Sequence, residues 1–195
     1  MIIRIEKPLL ESMQLAKALA KNEFRTQLTG IMFEEDGTIW AANGHIALVA
    51  RTGKVIEKSV VLNIDKTPAT GRKYHTAVID TQQALCHFVP EFEGIAAASD
   101  EELISRAIAV GKAENVSVNR VIKMANPIPP EIKPVSEIVF DADYLGLLPK
   151  IADLFSKQEG GKFAFKLTGD NTASLVKVRA GQGYMLTFII MPIKI

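Results

Sequence analysis

The feature that most constrains this chain is one order of elements that occurs at both ends: a strand, a helix and then three strands. Near the start, residues 1–7 alternate as a strand, and residues 8–21 carry apolar side chains at the helical spacing. The turns Asp36-Gly37 and Asn43-Gly44 separate the short apolar segments that follow. Both dipeptides favour the positive φ of a tight hairpin, so this end predicts antiparallel strands.

The same order returns in the last third of the chain. Residues 136–142 predict a strand, residues 143–157 predict a helix, and three alternating segments follow. Pro149 lies inside the predicted helix, and because proline lacks an N–H group it should either kink the helix or mark its real start. Two such units predict an α+β fold in which two half-domains, residues 1–65 and 135–195, place both helices on one side of antiparallel sheets.

The middle of the chain, residues 66–134, does not repeat this order, and we expect an insertion or a small subdomain there. Residues 74–81 predict a strand, whereas residues 83–89 fit either its hairpin partner or a short helix. Residues 99–112 predict a helix. The four prolines between positions 126 and 134 predict an extended connector.

Composition excludes several classes of protein. The chain carries 23 Lys and Arg residues against 22 Asp and Glu residues, so its net charge of +1 indicates neither a nucleic-acid coat protein nor an acidic partner. Cys86 is the only cysteine, which excludes an intrachain disulfide and fits a cytoplasmic location. Residues 184–195 form the most apolar segment and are too short to span a bilayer. We therefore expect a cytoplasmic protein with no membrane partner.

Catalytic motifs and metal-ligand spacings are absent from the sequence, so we expect no catalytic residue, no metal and no cofactor. Cys86 and His87 would point to opposite faces of a strand and would not form a nucleophile–base pair, so we interpret Cys86 as a buried structural cysteine. The acids at positions 100–102 fit the start of a helix better than a metal site. We interpret Asn43-Gly44-His45 as a hairpin turn rather than as a functional histidine.

Basic residues on the two predicted helices are the candidate DNA contacts. Lys17 and Lys21 lie one turn apart on the first helix, and Lys150 and Lys157 lie two turns apart on the second. Such residues would touch phosphates and read no sequence, so binding would be weak, dependent on salt and able to slide. A solvated helix face without any DNA contact explains the same spacing.

The chain terminus offers a second candidate site. Residues 191–195, Met-Pro-Ile-Lys-Ile, end an apolar strand. Pro192 has no donor for a strand ladder and belongs at a strand end, which would leave the tail to line a groove for a partner's short peptide. A core strand with a frayed end is the alternative interpretation.

Residues 136–195 resemble the final half-domain of the bacterial DNA polymerase sliding clamp, the β subunit of the replicase. That family ends in a strand, a helix, three strands and a Met-Pro-hydrophobic-basic-hydrophobic tail, and residues 191–195 match the tail position by position. Residues 28–50 resemble the hairpin of an opening clamp half-domain. Here Ala42-Asn43-Gly44 stands in place of the family's Thr-Asp-Gly segment, and Ile46 in place of a basic residue.

The resemblance implies a DNA-clamp-like fold and a non-enzymatic processivity factor in DNA replication or repair. Family members close six similar domains around duplex DNA, and client proteins such as DNA polymerase dock a peptide beside the C-terminal tail. Since this chain has room for fewer domains than a clamp subunit, a ring would require a homo-oligomer. The residues that the analogy assigns to DNA are Lys17, Lys21, Lys150 and Lys157. The residues that it assigns to client peptides are Met191, Pro192 and Ile193. The alternative is a protein-interaction module that keeps the clamp fold, does not encircle DNA and binds a partner peptide through its C-terminal groove.

Overall fold

The computed structural model describes residues 1–18, 26–43, 45–65, 73–118, 138–155, 163–167, 173–179 and 185–192. The strands are β1 (Ile2–Glu6), β2 (Ile31–Phe33), β3 (Thr38–Ala42), β4 (Ile46–Arg51), β5 (Val60–Ile64), β6 (Tyr74–Asp80), β7 (Leu85–Pro90), β8 (Ala109–Asn115), β9 (Phe163–Lys166), β10 (Ser174–Arg179) and β11 (Met185–Ile190). The helices are α1 (Lys7–Ala18), α2 (Asp100–Ser105), α3 (Ala142–Leu145) and α4 (Leu147–Phe155), and a 3₁₀ helix covers Thr26–Thr29.

Within the described residues the strands form one 11-stranded antiparallel sheet in the order β1-β6-β7-β8-β5-β2-β3-β4-β11-β10-β9. The first third of the chain and its C-terminal segment meet where β4, the eighth strand in this order, pairs with β11, the ninth. In that pair Leu48 lies opposite Phe188, and Ala50 lies opposite Leu186. The predicted α+β class with antiparallel sheets is therefore confirmed.

Helices α1 and α4 pack against each other on one face of this sheet. Pro8 lies in the first turn of α1, where its missing N–H group costs nothing, and its carbonyl accepts a 2.6 Å hydrogen bond from Ser12 Oγ. The helices bury their apolar side chains in one core cluster together with Leu48 and Phe188. The buried apolar helix residues are Leu9, Leu10, Met13, Ala16, Leu147, Leu148, Ile151 and Ala152. The prediction that both helices share one side of the sheet is confirmed.

The opposite face of the sheet is buried as well. Met32, Trp40 and Ile189 belong to a second apolar cluster there, and Trp40 Nε1 donates a 2.7 Å hydrogen bond to the buried carboxylate of Glu34. Helix α2 covers β6 and β7 on that side, held by a 2.6 Å ion pair between Arg4 and Asp100. Burial on both faces explains why β2 is apolar along its whole length and why β3 carries only one polar residue, the buried Thr38.

The helix predicted over residues 99–112 is wrong beyond its first half. Helix α2 ends at Ser105, and β8 begins at Ala109 and pairs with both β7 and β5. Gly111 allows this strand, because a Cβ atom there would stand only 3.3 Å from the ring of Phe88. The partners of β8 are distant in sequence, so they override the local helical pattern.

The predicted strand over residues 136–142 is not found in the described part of that segment. Residues 138–141 form no strand, and α3 begins at Ala142 because Asp141 caps it, accepting a 2.8 Å hydrogen bond from the N–H group of Asp143. The helix breaks at Gly146 and restarts as α4, with Pro149 in its first turn. The predicted helix is therefore interrupted before Pro149, and Pro149 lies in the first turn of its second part, so the expected kink and the expected helix start describe the same place.

The middle of the chain contributes β6, β7 and β8, which lie between β1 and β5 in the sheet. Residues 85–90 are the hairpin partner of β6 and not a helix, which resolves the alternative left open by the sequence. The connector predicted between positions 126 and 134 lies outside the described residues. The division of the chain at residues 65 and 135 stays a prediction.

Candidate functional site

The C-terminal tail meets the β3–β4 turn and helix α3. The N–H group of Met191 donates a 2.9 Å hydrogen bond to the carbonyl of His45, and the His45 ring stacks on Tyr144 with centroids 6.1 Å apart. Asn43 fixes the turn, since its Oδ1 accepts hydrogen bonds from the N–H groups of His45 (3.1 Å) and Ile46 (3.0 Å). We call Asn43, His45, Tyr144, Met191 and Pro192 the tail junction.

The tail junction is open to solvent on its apolar side. Met191 is 40% exposed, His45 is exposed, and Tyr144 and Pro192 are half-buried, whereas Asn43 is buried beneath them. An accessible thioether beside a ring pair is a surface that an incoming apolar side chain can cover. Ile193, the third residue assigned to client peptides, lies outside the described residues.

The phenol of Tyr144 stays protonated at neutral pH. Burial raises the pKa of Tyr144, the charges of Asp141 and Asp143 raise it further, and a hydrogen bond with the Asn43 side chain lowers it. The tail junction therefore carries a neutral hydrogen-bond donor beside its apolar surface.

The sequence predicted the hairpin turn at Asn43 but not the contacts of His45 with Tyr144 and Met191. Asn43 does make a hairpin turn, as its N–H···O bond to Ile46 shows (3.0 Å), yet the same turn also brings His45 onto Tyr144 and the tail. No local sequence pattern predicts a contact between a turn, a short helix and a chain terminus. The one available signal was Gly44-His45 directly before an apolar strand, which by itself indicates only the turn.

Lys17, the first predicted DNA contact, ties α1 to the end of β5. Its Nζ donates a 2.6 Å hydrogen bond to Asn63 Oδ1, and the side chain of Gln14 donates a 3.0 Å bond to the carbonyl of Asp65. Partial burial lowers the pKa of Lys17, and the charge of Asp65 opposes that shift. Lys17 is thus held against the protein and is only partly available to an external anion.

Lys150 is exposed on α4, the helix that packs beside α1. Lys21 and Lys157 lie outside the described residues. Two of the four predicted DNA contacts therefore lie on adjacent helices, one held by a neighbour and one in solvent.

Cys86 is fully buried on the core face of β7, and burial raises the pKa of its thiol to about 12, with a further contribution from the charge of Asp65. His87 points to the opposite face, so the expectation of a structural cysteine is confirmed. Asp100 and Glu102 lie in the first turn of α2, where Ser99 caps the helix as expected.

The described part of the chain lacks two kinds of feature. Those residues contain no group of three or more His, Cys, Asp and Glu side chains placed to hold a metal ion. Within the same residues, no helix has the length and apolar character needed to cross a membrane.

Comparison with known proteins places the fold. No family model matches the sequence, and no curated protein matches it. The chain is similar over its whole length to the DNA polymerase sliding clamp of Bacillus subtilis (12% identity, TM-score 0.51, 64% of that chain covered). It is also similar to the DNA polymerase III β subunit of Pseudomonas aeruginosa (11% identity, TM-score 0.51, 67% covered) and to the β clamp of Helicobacter pylori (10% identity, TM-score 0.54, 66% covered). The chain spans about two thirds of the length of these clamps, and the likeness shows a clamp-like fold.

Proposed function

We propose that this protein is a sliding-clamp-like processivity factor in DNA replication or repair, located in the cytoplasm and acting without bond chemistry. The observation that carries the proposal is the clamp-like fold itself, with α1 and α4 side by side on a sheet that joins the two ends of the chain. A clamp holds DNA by topology, so a modest basic lining is enough in a nearly neutral chain.

The paired helices would face DNA. Lys150 offers an exposed ammonium group for a phosphate, while Lys17 contributes positive charge close to the surface and keeps α1 in place through Asn63. Lys21 and Lys157 follow the two helices in the sequence, outside the described residues, and are assigned the same role. Contacts of this kind are diffuse and let the protein slide.

A ring requires several copies, and one end of the sheet supports their association. Strand β9 is the last strand of the sheet and, among the described residues, pairs only with β10. Its Phe165 is 48% exposed, and Leu167 beside it is exposed as well. An open strand edge that carries an exposed aromatic side chain favours contact with another chain.

Client peptides would dock at the tail junction. Met191 and Pro192 supply apolar contact, Tyr144 supplies a hydrogen-bond donor, and Asn43 holds the turn beneath them rigid. The exposed apolar surface of the tail junction also favours the second candidate function, a clamp-fold interaction module that binds a peptide without encircling DNA.

Two measurements on the full chain distinguish the sliding clamp from the interaction module. Light scattering gives the mass in solution, and retention on a closed circular plasmid is compared with retention on the same plasmid after linearisation. We expect an oligomer that stays on the circle and slides off the linear form. Charge reversal by Lys150→Glu should shorten retention on the circle, whereas Lys58→Glu, in an exposed loop away from α4, should not.

A monomer with equal retention on both DNA forms would overturn the clamp proposal. If that monomer still bound a polymerase-derived peptide and lost it on deletion of residues 191–195, the interaction module would be the correct function.

A further inference from the structure

A cleft of about 500 Å³ lies along one edge of β1. All five residues of the strand, Ile2–Glu6, line it, although alternate residues of a strand point to opposite faces. A cavity that touches both faces of one strand runs along its edge, and this one also reaches His75 and Thr76 at the start of β6. Strand β6 occupies the other edge, and β1 pairs with no second strand among the residues that the structure describes.

The far wall of the cleft is held in place by hydrogen bonds. It consists of the β2–β3 turn and the loop over residues 52–56. Thr52 donates to the carbonyl of Gly37 through both its N–H group (3.0 Å) and its hydroxyl (2.9 Å), and the N–H group of Ile56 donates to the carbonyl of Glu35 (3.2 Å). The cleft is therefore preformed and does not need a wall to be ordered on binding.

The size and lining of the cleft match a short strand. A residue in a sheet takes up roughly 3.4 Å along the strand, 4.8 Å between strands and 10 Å between layers, or about 160 Å³. A volume of about 500 Å³ thus holds about three residues. Part of the lining, which we call the apolar floor, consists of Ile3, Ile5, Phe33 and Ile39, which are buried side chains of the main core. The charged residues Arg4, Glu6, Glu34 and Lys54 line the cleft as well.

We propose that this cleft binds an extended peptide segment of a partner protein, which adds to β1 as a further strand. The backbone groups at the edge of β1 over residues 2–5 supply the main-chain hydrogen bonds, and the apolar floor takes every second side chain of the peptide. The occupant is therefore a segment with apolar residues at alternate positions. This site is separate from the tail junction and does not depend on the clamp function.

The test uses a fluorescein-labelled peptide, acetyl-Lys-Val-Thr-Val-Thr-Val-Lys-amide, and a second version whose backbone amides are alternately N-methylated. Binding to the full chain is followed by fluorescence anisotropy, and hydrogen exchange of the β1 amides is measured with and without peptide. Two exposed valines provide matched variants. Val55 lines the cleft and is 78% exposed, and Val110 on β8 is 52% exposed and does not line it.

We expect the unmethylated peptide to bind the original chain and Val110→Lys equally, and Val55→Lys about tenfold more weakly, since about 1.4 kcal/mol corresponds to tenfold. The methylated peptide should bind at least about tenfold more weakly, and the β1 amides should exchange about tenfold more slowly with peptide bound. No binding at about 1 mM peptide overturns the proposal. Equal binding of the methylated peptide, or unchanged exchange in β1, also overturns it and identifies a pocket for apolar groups without strand addition.

Discussion

Replacing Ile151 by alanine tests whether α4 packs on the sheet beside α1. Ile151 is fully buried in the cluster that contains Met13 of α1 and Phe188 of β11. Removing three carbon atoms costs about 2.4 kcal/mol, at about 0.8 kcal/mol for each buried CH₂ group. The cavity left between three elements adds to this, so we expect a total loss of about 3–4 kcal/mol.

The loss is measured as the change in the free energy of unfolding in urea, with a thermal scan as the second measurement. For a domain of this size about 1 kcal/mol lowers the melting temperature by about 2–4 °C, so we expect a decrease of about 6–16 °C. Asp153→Ala is the control, because Asp153 is exposed on the same helix and should change stability by no more than about 0.5 kcal/mol. A loss below about 1 kcal/mol for Ile151→Ala, equal to the control, would refute the packing of α4 on this core.

Two further predictions concern a glycine and the cysteine. Gly37 has φ +81°, and a Cβ atom there would stand 2.8 Å from the backbone N and O atoms of Lys54, whereas Gly53, at φ +68°, has no atom within 4 Å of such a Cβ. In urea unfolding, Gly37→Ala should therefore cost about 1–3 kcal/mol more than Gly53→Ala, and equal costs would contradict the close approach. Because the Cys86 pKa rises to about 12 on folding, the unfolded chain releases the thiol proton first, and stability falls as pH rises above 9.0. Cys86→Ala should remove this part of the alkaline loss, so parallel curves for the two proteins between about pH 8 and 11 would contradict the burial of the thiol.

The elements that could be predicted from sequence are those whose signals are local. Asp36 Oδ1 accepts a 2.9 Å hydrogen bond from the N–H group of Thr38, and Gly37 takes the positive φ, so the dipeptide alone encodes this turn. The apolar face of α1 is local too, because Leu9, Met13 and Ala16 follow the helical period and are all buried.

The features that could not be predicted depend on partners far away in the chain. Strand β8 forms because β7 and β5 lie on either side of it. No pattern within residues 99–112 predicts these two partners. The tail junction is of the same kind, since His45, Tyr144 and Met191 come from three segments that meet only in the folded protein. The tail itself could be proposed from Pro192 at the end of an apolar strand and from the resemblance, but its neighbours His45 and Tyr144 could not.

The joining of the two chain ends is most directly tested by nuclear Overhauser effects across the β4–β11 pair of the 21.3 kDa protein. Cross-strand contacts between the backbone protons of Leu48 and Phe188, and of Ala50 and Leu186, are the predicted result. If these contacts were missing while those within the β10–β11 pair were present, the two ends would fold apart. The shared helix face, the tail junction and the clamp proposal would then all be wrong.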